Sequence, residues 1–463
     1  MGSDWKTFTL EELASEQKSA LATGPFGSAI SSKFFQENGI PVIRGGNLSA
    51  NTSDRMSDDG LVFVSEEKAA EFKRSVVRKG DLIFTCWGTI NQVGLLDEQR
   101  QFDEYIISNK QMKVTLDVDK ADPLFVYYMF SGPKKQKEIL QNGIGAAVPG
   151  FNLGQLREHK LTLPNINNQR RIASYLDSLD QKITLNNQIN QTLEQMAQAI
   201  FKSWFVDFDP VKTKMNGEQP KGMDAPFLSK EVASLFPEKL VESELGLIPE
   251  GWEVTNVGDF TDTFDYVANG SFAALKANVD LFDEPNEVIY VRTTDFNKGF
   301  KNELKYTDEP SYQFLSKSKL YGHETIISNV GDVGTVFRAP SWYDMPMTLG
   351  SNAMGIVSEG ANSYIYYMFK SHIGQHLLDG ITSGSAQMKF NKTSFRKLRV
   401  VLPSKGVLAK FEELEASLWA KHASNQKESL HLERLRDTLL PKLLSGEIDL
   451  ENLQVEQAIA IAE

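Results

Sequence analysis

The chain repeats itself once, at long range. Shifting its 463 residues by 239 places Tyr127-Tyr128-Met129-Phe130 on Tyr366-Tyr367-Met368-Phe369, Gly145 on Gly384, Phe151-Asn152 on Phe390-Asn391 and Leu163-Pro164 on Leu402-Pro403. Upstream, after a small change of offset, Val42-Ile43-Arg44 fits Tyr290-Val291-Arg292, Ile83 to Gly88 fits Ile326 to Gly331, and Ser108-Asn109 fits Ser351-Asn352. Solenoid repeats run to roughly 20–50 residues, so a period this long means two copies of a domain-sized module.

Each copy opens with short β-rich runs among Gly-, Asn- and Ser-rich loops, and a helix is predicted at 123–141 and at 363–379. After Leu163-Pro164 and Leu402-Pro403, Pro and Gly almost vanish, which predicts a long helix in each copy. In the first, Ile172, Leu176, Leu179, Ile183, Asn186, Asn190, Leu193, Ala197, Ile200 and Trp204 step by fours and threes. Phe411, Leu414, Leu418, Asn425, Leu432, Leu435, Leu439 and Leu443 do so in the second. Helices of roughly 38 residues would each run about 57 Å, with an apolar stripe that needs cover. Pairing the two antiparallel about a pseudo-two-fold axis supplies it, with Asn186 and Asn425 as seam polar groups that fix register; packing of each helix on its own globule is the alternative. The expected fold is α+β: two similar globules separated by a two-helix antiparallel coiled coil. The expected boundaries are globules at 1–164 and 250–403, helices at 165–205 and 404–445, a linker at 206–249 and an acidic tail at 446–463.

Composition excludes several classes. With 41% hydrophobic residues and no apolar run near the roughly 20 residues that cross a bilayer, a membrane role is not expected. The N-terminus lacks the pattern of a secretory signal and Cys86 is the only cysteine, so no intramolecular disulfide can form and a reducing cytoplasm fits. The net charge of −12 argues against an indiscriminate polyanion binder. Even so, no acid occurs between Gly380 and Phe411, where seven Lys and Arg fall. No Pro-Pro and no Gly-Lys dipeptide occurs, which removes the Pro-Pro-Tyr/Phe signature of amino-methyltransferases and the Walker A loop. His323-Glu324 lacks the second histidine of a zincin helix, His372, His376 and Asp379 read as solvated helix residues, Asp207 and Asp209 as a helix-end turn, and Cys86 beside Trp87 as packed. No catalytic constellation and no metal site emerge.

Several phrases remain: Pro164-Asn165-Ile166 through Gln169-Arg170-Arg171-Ile172, Phe201 to Pro210, Glu242 to Trp252, and Leu440 to Ile448. In this order, across a duplicated chain, they resemble the specificity subunit of type I restriction-modification systems. The resemblance implies a non-catalytic subunit with two target-recognition domains held apart by two helices, each domain reading one half of a bipartite, asymmetric DNA sequence. It implies docking of two DNA methyltransferase subunits, with motor-nuclease subunits completing the restriction complex; S-adenosylmethionine, ATP and magnesium would serve those partners and no cofactor this chain. Pro403-Ser404-Lys405-Gly406 departs from the Asn-Gln-Arg-Arg of the first copy, which puts that end's partner contacts in doubt.

Base reading needs donors and acceptors on loops, Arg or Lys toward guanine and Asn or Gln toward adenine. Matched places in the two copies offer Arg44, Asn47, Asn91, Gln92 and Lys110 in the first, and Arg292, Thr293, Thr294 and Asn329 in the second. The loop from Ser383 to Lys389, with Gln387, pairs with Gly143 to Pro149, where the copies differ most. Trp204, Phe205 and Leu443 are the expected partner-docking residues, as apolar groups left exposed at helix ends. A coiled-coil scaffold without DNA and a stand-alone DNA-modifying enzyme are the alternatives.

Overall fold

The computed structural model describes residues 5–49, 52–143, 150–217, 229–301, 303–384, 387–448 and 450. Most of the loop at 143–149, residues 385–386 and most of the acidic tail lie outside the described residues. The chain divides into two compact units: one runs to Asn186 and resumes at Glu428, the other spans Asn187–Lys427.

In the first unit, β1 (Lys6–Thr9) pairs antiparallel with β10 (Lys160–Leu163), closing the globule where its chain enters and leaves. One four-stranded sheet runs β2 (Leu21–Thr23), β9 (Gln111–Val114), β6 (Leu82–Thr85), β7 (Val93–Leu95). The other runs β4 (Val62–Val64), β3 (Ile40–Ile43), β8 (Glu104–Ile107), β5 (Val76–Arg78), with β3 and β8 parallel. The central strands β6 and β9 are buried on both faces.

The second unit repeats this strand for strand. After a hairpin of β11 (Leu240–Ser243) and β12 (Gly246–Pro249), β13 (Glu253–Asn256) pairs with β22 (Arg399–Leu402). The sheets are β14 (Asp262–Asp265), β21 (Ala353–Val357), β18 (Thr325–Ser328), β19 (Val336–Arg338), and β16 (Lys305–Thr307), β15 (Val288–Val291), β20 (Met347–Leu349), β17 (Lys319–Leu320). Each is its first-unit counterpart with twelve added to every strand number. The ladders also correct the sequence alignment. Leu82 faces Val114 and Thr325 faces Ile356, so the counterpart of Asn109-Lys110 is Ser351-Asn352, one residue from the Ser-Asn match.

Each predicted globule helix is two helices. Pro133 lacks an N–H and cannot continue Pro123–Ser131, so a second helix starts there and runs to Gln141. In the other unit Asn362–Lys370 ends where the Ser371 side chain caps His372–Ile381.

The long helices are Ile166–Phe201 and Lys405–Ser445. Within each unit they pair antiparallel. In the first, Ile172, Leu176 and Leu179 share a core with Leu435, Leu439 and Leu443; in the second, Ala197, Ile200 and Phe201 share one with Val407, Leu408 and Phe411. The seam asparagines are buried: Asn186 Nδ2 donates to Ser429 Oγ at 3.3 Å and Glu428 Oε2 at 2.9 Å, and Asn425 Nδ2 to Asn190 Oδ1 at 2.9 Å. A shift of 239 carries Asn186 and Ser429 onto Asn425 and Asn190, so each unit has its own copy of one polar layer.

Asn165 caps the first long helix by accepting from Asn168 N–H at 3.0 Å. Gln169, fully buried, donates to the carbonyls of Pro164 and Lys120 and accepts from Asp122 N–H, which ties the helix start to its globule. The second helix has Leu408 at the corresponding place. There Glu412 accepts from the N–H groups of Ser363 and Tyr364, at the uncapped start of Asn362–Lys370.

Two expectations fail here. Trp204, Phe205 and Leu443 are not exposed. A π-helical turn at Lys202–Val206 turns both consecutive aromatics inward. Trp204 meets Phe236 and Phe411; Phe205 meets Trp252, Tyr364 and Phe411. Leu443 lies in the first unit's core. The 206–249 stretch is no free linker either, since Val211, Val232, Phe236 and Ile248 belong to the second unit's core.

Candidate nucleic-acid interface

In both units the same backbone scaffold presents a loop cluster at one end of the β2/β14 sheet. At the end of β6, Cys86 N–H donates to Lys110 O at 2.7 Å, Phe151 N–H donates to Cys86 O at 2.9 Å, and Trp87 bridges Gly150. At the end of β18, Asn329 N–H donates to Asn352 O at 3.0 Å, Phe390 N–H donates to Asn329 O at 3.2 Å, and Val330 bridges Lys389. The next residue, Gly88 or Gly331, has φ of 89° or 84°, a conformation that side chains disfavour. Two residues past the bridge, Asn152 and Asn391 cap equivalent short helices, each accepting an N–H at 2.9 Å. The backbone hydrogen bonds and the core residues Phe151 and Phe390 match; other side chains do not. Where the first unit has Cys86, Trp87, Lys110 and Gly150, the second has Asn329, Val330, Asn352 and Lys389.

Of the sequence candidates, Lys110 stands exposed in the first cluster, and Asn329, Ser383, Gln387 and Lys389 come together in the second. Ser383 and Lys389 exchange two backbone hydrogen bonds of 2.9 Å, which holds Gln387 and Lys389 outward at the loop's end.

The Arg-loop candidates do a different job. Arg44 N–H donates to Asn47 Oδ1 and its guanidinium to Gly60 O, both at 3.0 Å. Arg292 N–H donates to Asp295 Oδ2 and its guanidinium to Glu303 O, again both at 3.0 Å. These matched residues staple a loop to its own backbone. Asn47, 3% exposed, also donates to Ser57 O and Asp59 O, so its amide is fully engaged, and Asp295 holds the Arg292 guanidinium as an ion pair. Gln92 donates to Leu48 O at 2.9 Å. Asn91 and Thr293 are half-buried and Thr294 is exposed, all outside the cluster.

Sequence reasoning did not single out the exposed aromatics Phe26 (97% exposed), Phe272 (82%) and Trp87 (53%), while Cys86, read as packed, is buried. Phe26 follows β2 in the turn-rich Gly24-Pro25-Phe26-Gly27, where nothing in the hydrophobic periodicity calls for a phenylalanine; that mismatch was the available signal. Phe26, Trp87, Asn109 and Lys110 line a hollow of about 520 Å³ in which, among the described residues, Lys110 alone is charged. A second hollow of about 500 Å³ in the same unit carries six aspartates against Arg55 and Arg100, a lining that repels phosphate.

Burial pushes the Cys86 thiol up to about 11, so it stays protonated at neutral pH. Among the described residues no group of three His, Cys, Asp or Glu could hold a metal ion, and no helix is long and apolar enough to cross a membrane.

Residues 2–195 match the family model described as the type I restriction modification DNA specificity domain. Along the whole chain, the specificity subunit of the type I restriction enzyme HindI from Haemophilus influenzae is 25% identical, covering 96% of this chain and all of its own. Along nearly its whole length the chain is similar to type I restriction-modification specificity subunits. The MjaIX specificity subunit of Methanocaldococcus jannaschii is also 25% identical, over 84% of this chain and 82% of its own. The crystal structure of a type I S subunit from M. genitalium shares the fold, with a TM-score of 0.54 at 14% identity over 96% and 97% of the two chains.

Proposed function

We propose that each globule reads one half of a bipartite, asymmetric DNA target through its loop cluster, and that the long helices set the unread gap. The observation that carries this reading is the duplicated turn scaffold, held by the same backbone hydrogen bonds, with Cys86, Trp87 and Lys110 in one copy and Asn329, Val330 and Asn352 in the other. Lys110 and Lys389 approach phosphate or guanine, and Asn329 and Gln387 offer amides for adenine.

Catalysis belongs to partners. Two methyltransferase subunits dock on the exposed faces of the long helices, not at the buried Trp204, Phe205 and Leu443, and motor-nuclease subunits complete the assembly in the cytoplasm. S-adenosylmethionine, ATP and magnesium serve those partners, and this chain needs none of them. Its acidic total makes its own grip on DNA weak at physiological salt, while the partners add phosphate contacts and make the two half-site events intramolecular. Titrating DNA with the chain alone and with its methyltransferase partner tests this: affinity and salt slope should both rise with the partner. Equal affinity and slope would contradict it, and absence of salt-dependent DNA retention in both cases would favour a scaffold without DNA. Inserting a heptad in both helices should lengthen the gap or, through rotation of the readers about the duplex, abolish binding; an unchanged gap would end the ruler reading.

A further inference from the structure

The two clusters differ in more than polarity. In the first, Trp87 lies with one face against Gly150, where a Cβ would fall 2.8 to 3.2 Å from three ring atoms, so the absent side chain makes room for the indole. The ring is still 53% exposed, and Phe26, 97% exposed, lines the same hollow of about 520 Å³. Asn109 Nδ2 donates to Gly27 O at 2.8 Å, which fastens the Phe26 loop to the strand turn that carries Lys110. A fixed aromatic face, a second exposed ring and, among the described residues, one ammonium group and no carboxylate form a lining suited to a flat, electron-rich ring attached to a phosphate chain. In the second cluster Val330 replaces Trp87 and Lys389 replaces Gly150, so the indole and the room made for it have no counterpart at that bridge.

We propose that the hollow at Phe26 and Trp87 is a nucleobase site: one base of the half-site read by the first globule is drawn out of the duplex stack and seated against these rings, with Lys110 toward its phosphate. An aromatic ring can cover a base face only where the base has left its neighbours, so this half-site is read with local unstacking, whereas the second is read along base edges. The inference rests on the half-site reading above.

The test uses the assembled complex with its methyltransferase partners and DNA carrying the target mapped from methylated bases in the source genome, with 2-aminopurine placed at each half-site position in turn. A fluorescence rise is expected at one position of the first half-site, lost in Trp87→Ala and reduced in Phe26→Ala. Specific DNA retention should weaken roughly ten- to hundredfold in Trp87→Ala, the effect of removing one stacked base, and Trp87→Phe should recover part of it. Phe26→Ala, at so exposed a position, also guards against misfolding as the cause. Retention and fluorescence unchanged in both alanine variants would overturn the proposal, as would a loss of partner assembly with the signal per bound complex intact. If the wild-type complex does not prefer the target over scrambled DNA, it is the half-site reading that fails.

Discussion

The two units share a strand order, a polar helix layer and a turn scaffold, yet each is fastened to its helices by different ionic contacts. In the first, Arg55 from a globule loop pairs with Asp177 and Arg436 with Asp180 at 2.8 Å, while Tyr128 donates to Asp180 at 2.6 Å. In the second, Arg338 on β19 pairs with Glu415 at 2.7 Å, Ser363 donates to Glu415 at 2.6 Å, and Lys370 pairs with Glu194 at 2.7 Å. Tyr128 and Tyr367 are counterparts, and both hydroxyls meet helix carboxylates, but the arginines come from unrelated positions. The comparison teaches that the duplicated module keeps backbone topology and apolar core, while ion pairs and exposed turns have diverged around them.

The largest effects should separate the units. Phe411→Ala removes a ring packed on Phe201, Trp204 and Phe205 and should cost about 3–5 kcal/mol, with hydrogen exchange accelerated in the second unit alone. Comparable loss of protection in the first unit would break the two-unit picture. Arg338→Ala strands a buried Glu415 carboxylate and should cost about 3–5 kcal/mol by the same measurement. A Glu415→Gln partner change should restore part of that loss, because the uncompensated charge is gone.

Asn425→Leu leaves Asn190 without its buried donor and should cost about 1–3 kcal/mol, whereas leucine at both positions should recover stability and loosen helix register. Cross-linking across the seam would report the register; a single register in the double variant would show that the polar layer does not set it.

Acid should weaken both units. Burial, helped by Lys135, holds His159 below its ordinary 6.5 despite Glu138, and burial does the same to His422. The unfolded chain therefore takes up these protons first, so the stability from a neutral imidazole is full above about pH 6.5 and is lost as pH falls through that value toward the lower folded pKa. His159→Gln should flatten this dependence in the first unit only, as read by unit-resolved exchange between pH 7 and 5. The smallest effects fall on exposed lysines: Lys110→Ala and Lys389→Ala should each lower the salt slope of DNA binding by about one without changing stability.

Much of the architecture was legible in the sequence because backbone equivalence leaves marks in apolar residues: Tyr127, Tyr128, Phe130 and Phe151 are core in the first unit, and their counterparts Tyr366, Tyr367, Phe369 and Phe390 in the second. The break at Pro133 was legible too, because a proline has no N–H with which to continue the helix before it. The candidate site was legible only in part. Arg44-Asn47 and Arg292-Asp295 recur because the fold needs the staple, so repetition pointed toward structure there and away from reading. Lys110, Asn329 and Lys389 lay at places where the copies disagree. Trp204 and Phe205 misled because a regular α-helix spreads consecutive residues around its face, and the π turn at Lys202–Val206 turns both inward.

The central claim is that the loop clusters read separate half-sites. Replacing residues 1–164 with the corresponding globule of a relative, assembling the hybrid with its methyltransferase partner and mapping methylated bases tests it directly. One half of the mapped target should change while the other half and the gap remain as they were. A hybrid that changes both halves, or neither, would contradict the account.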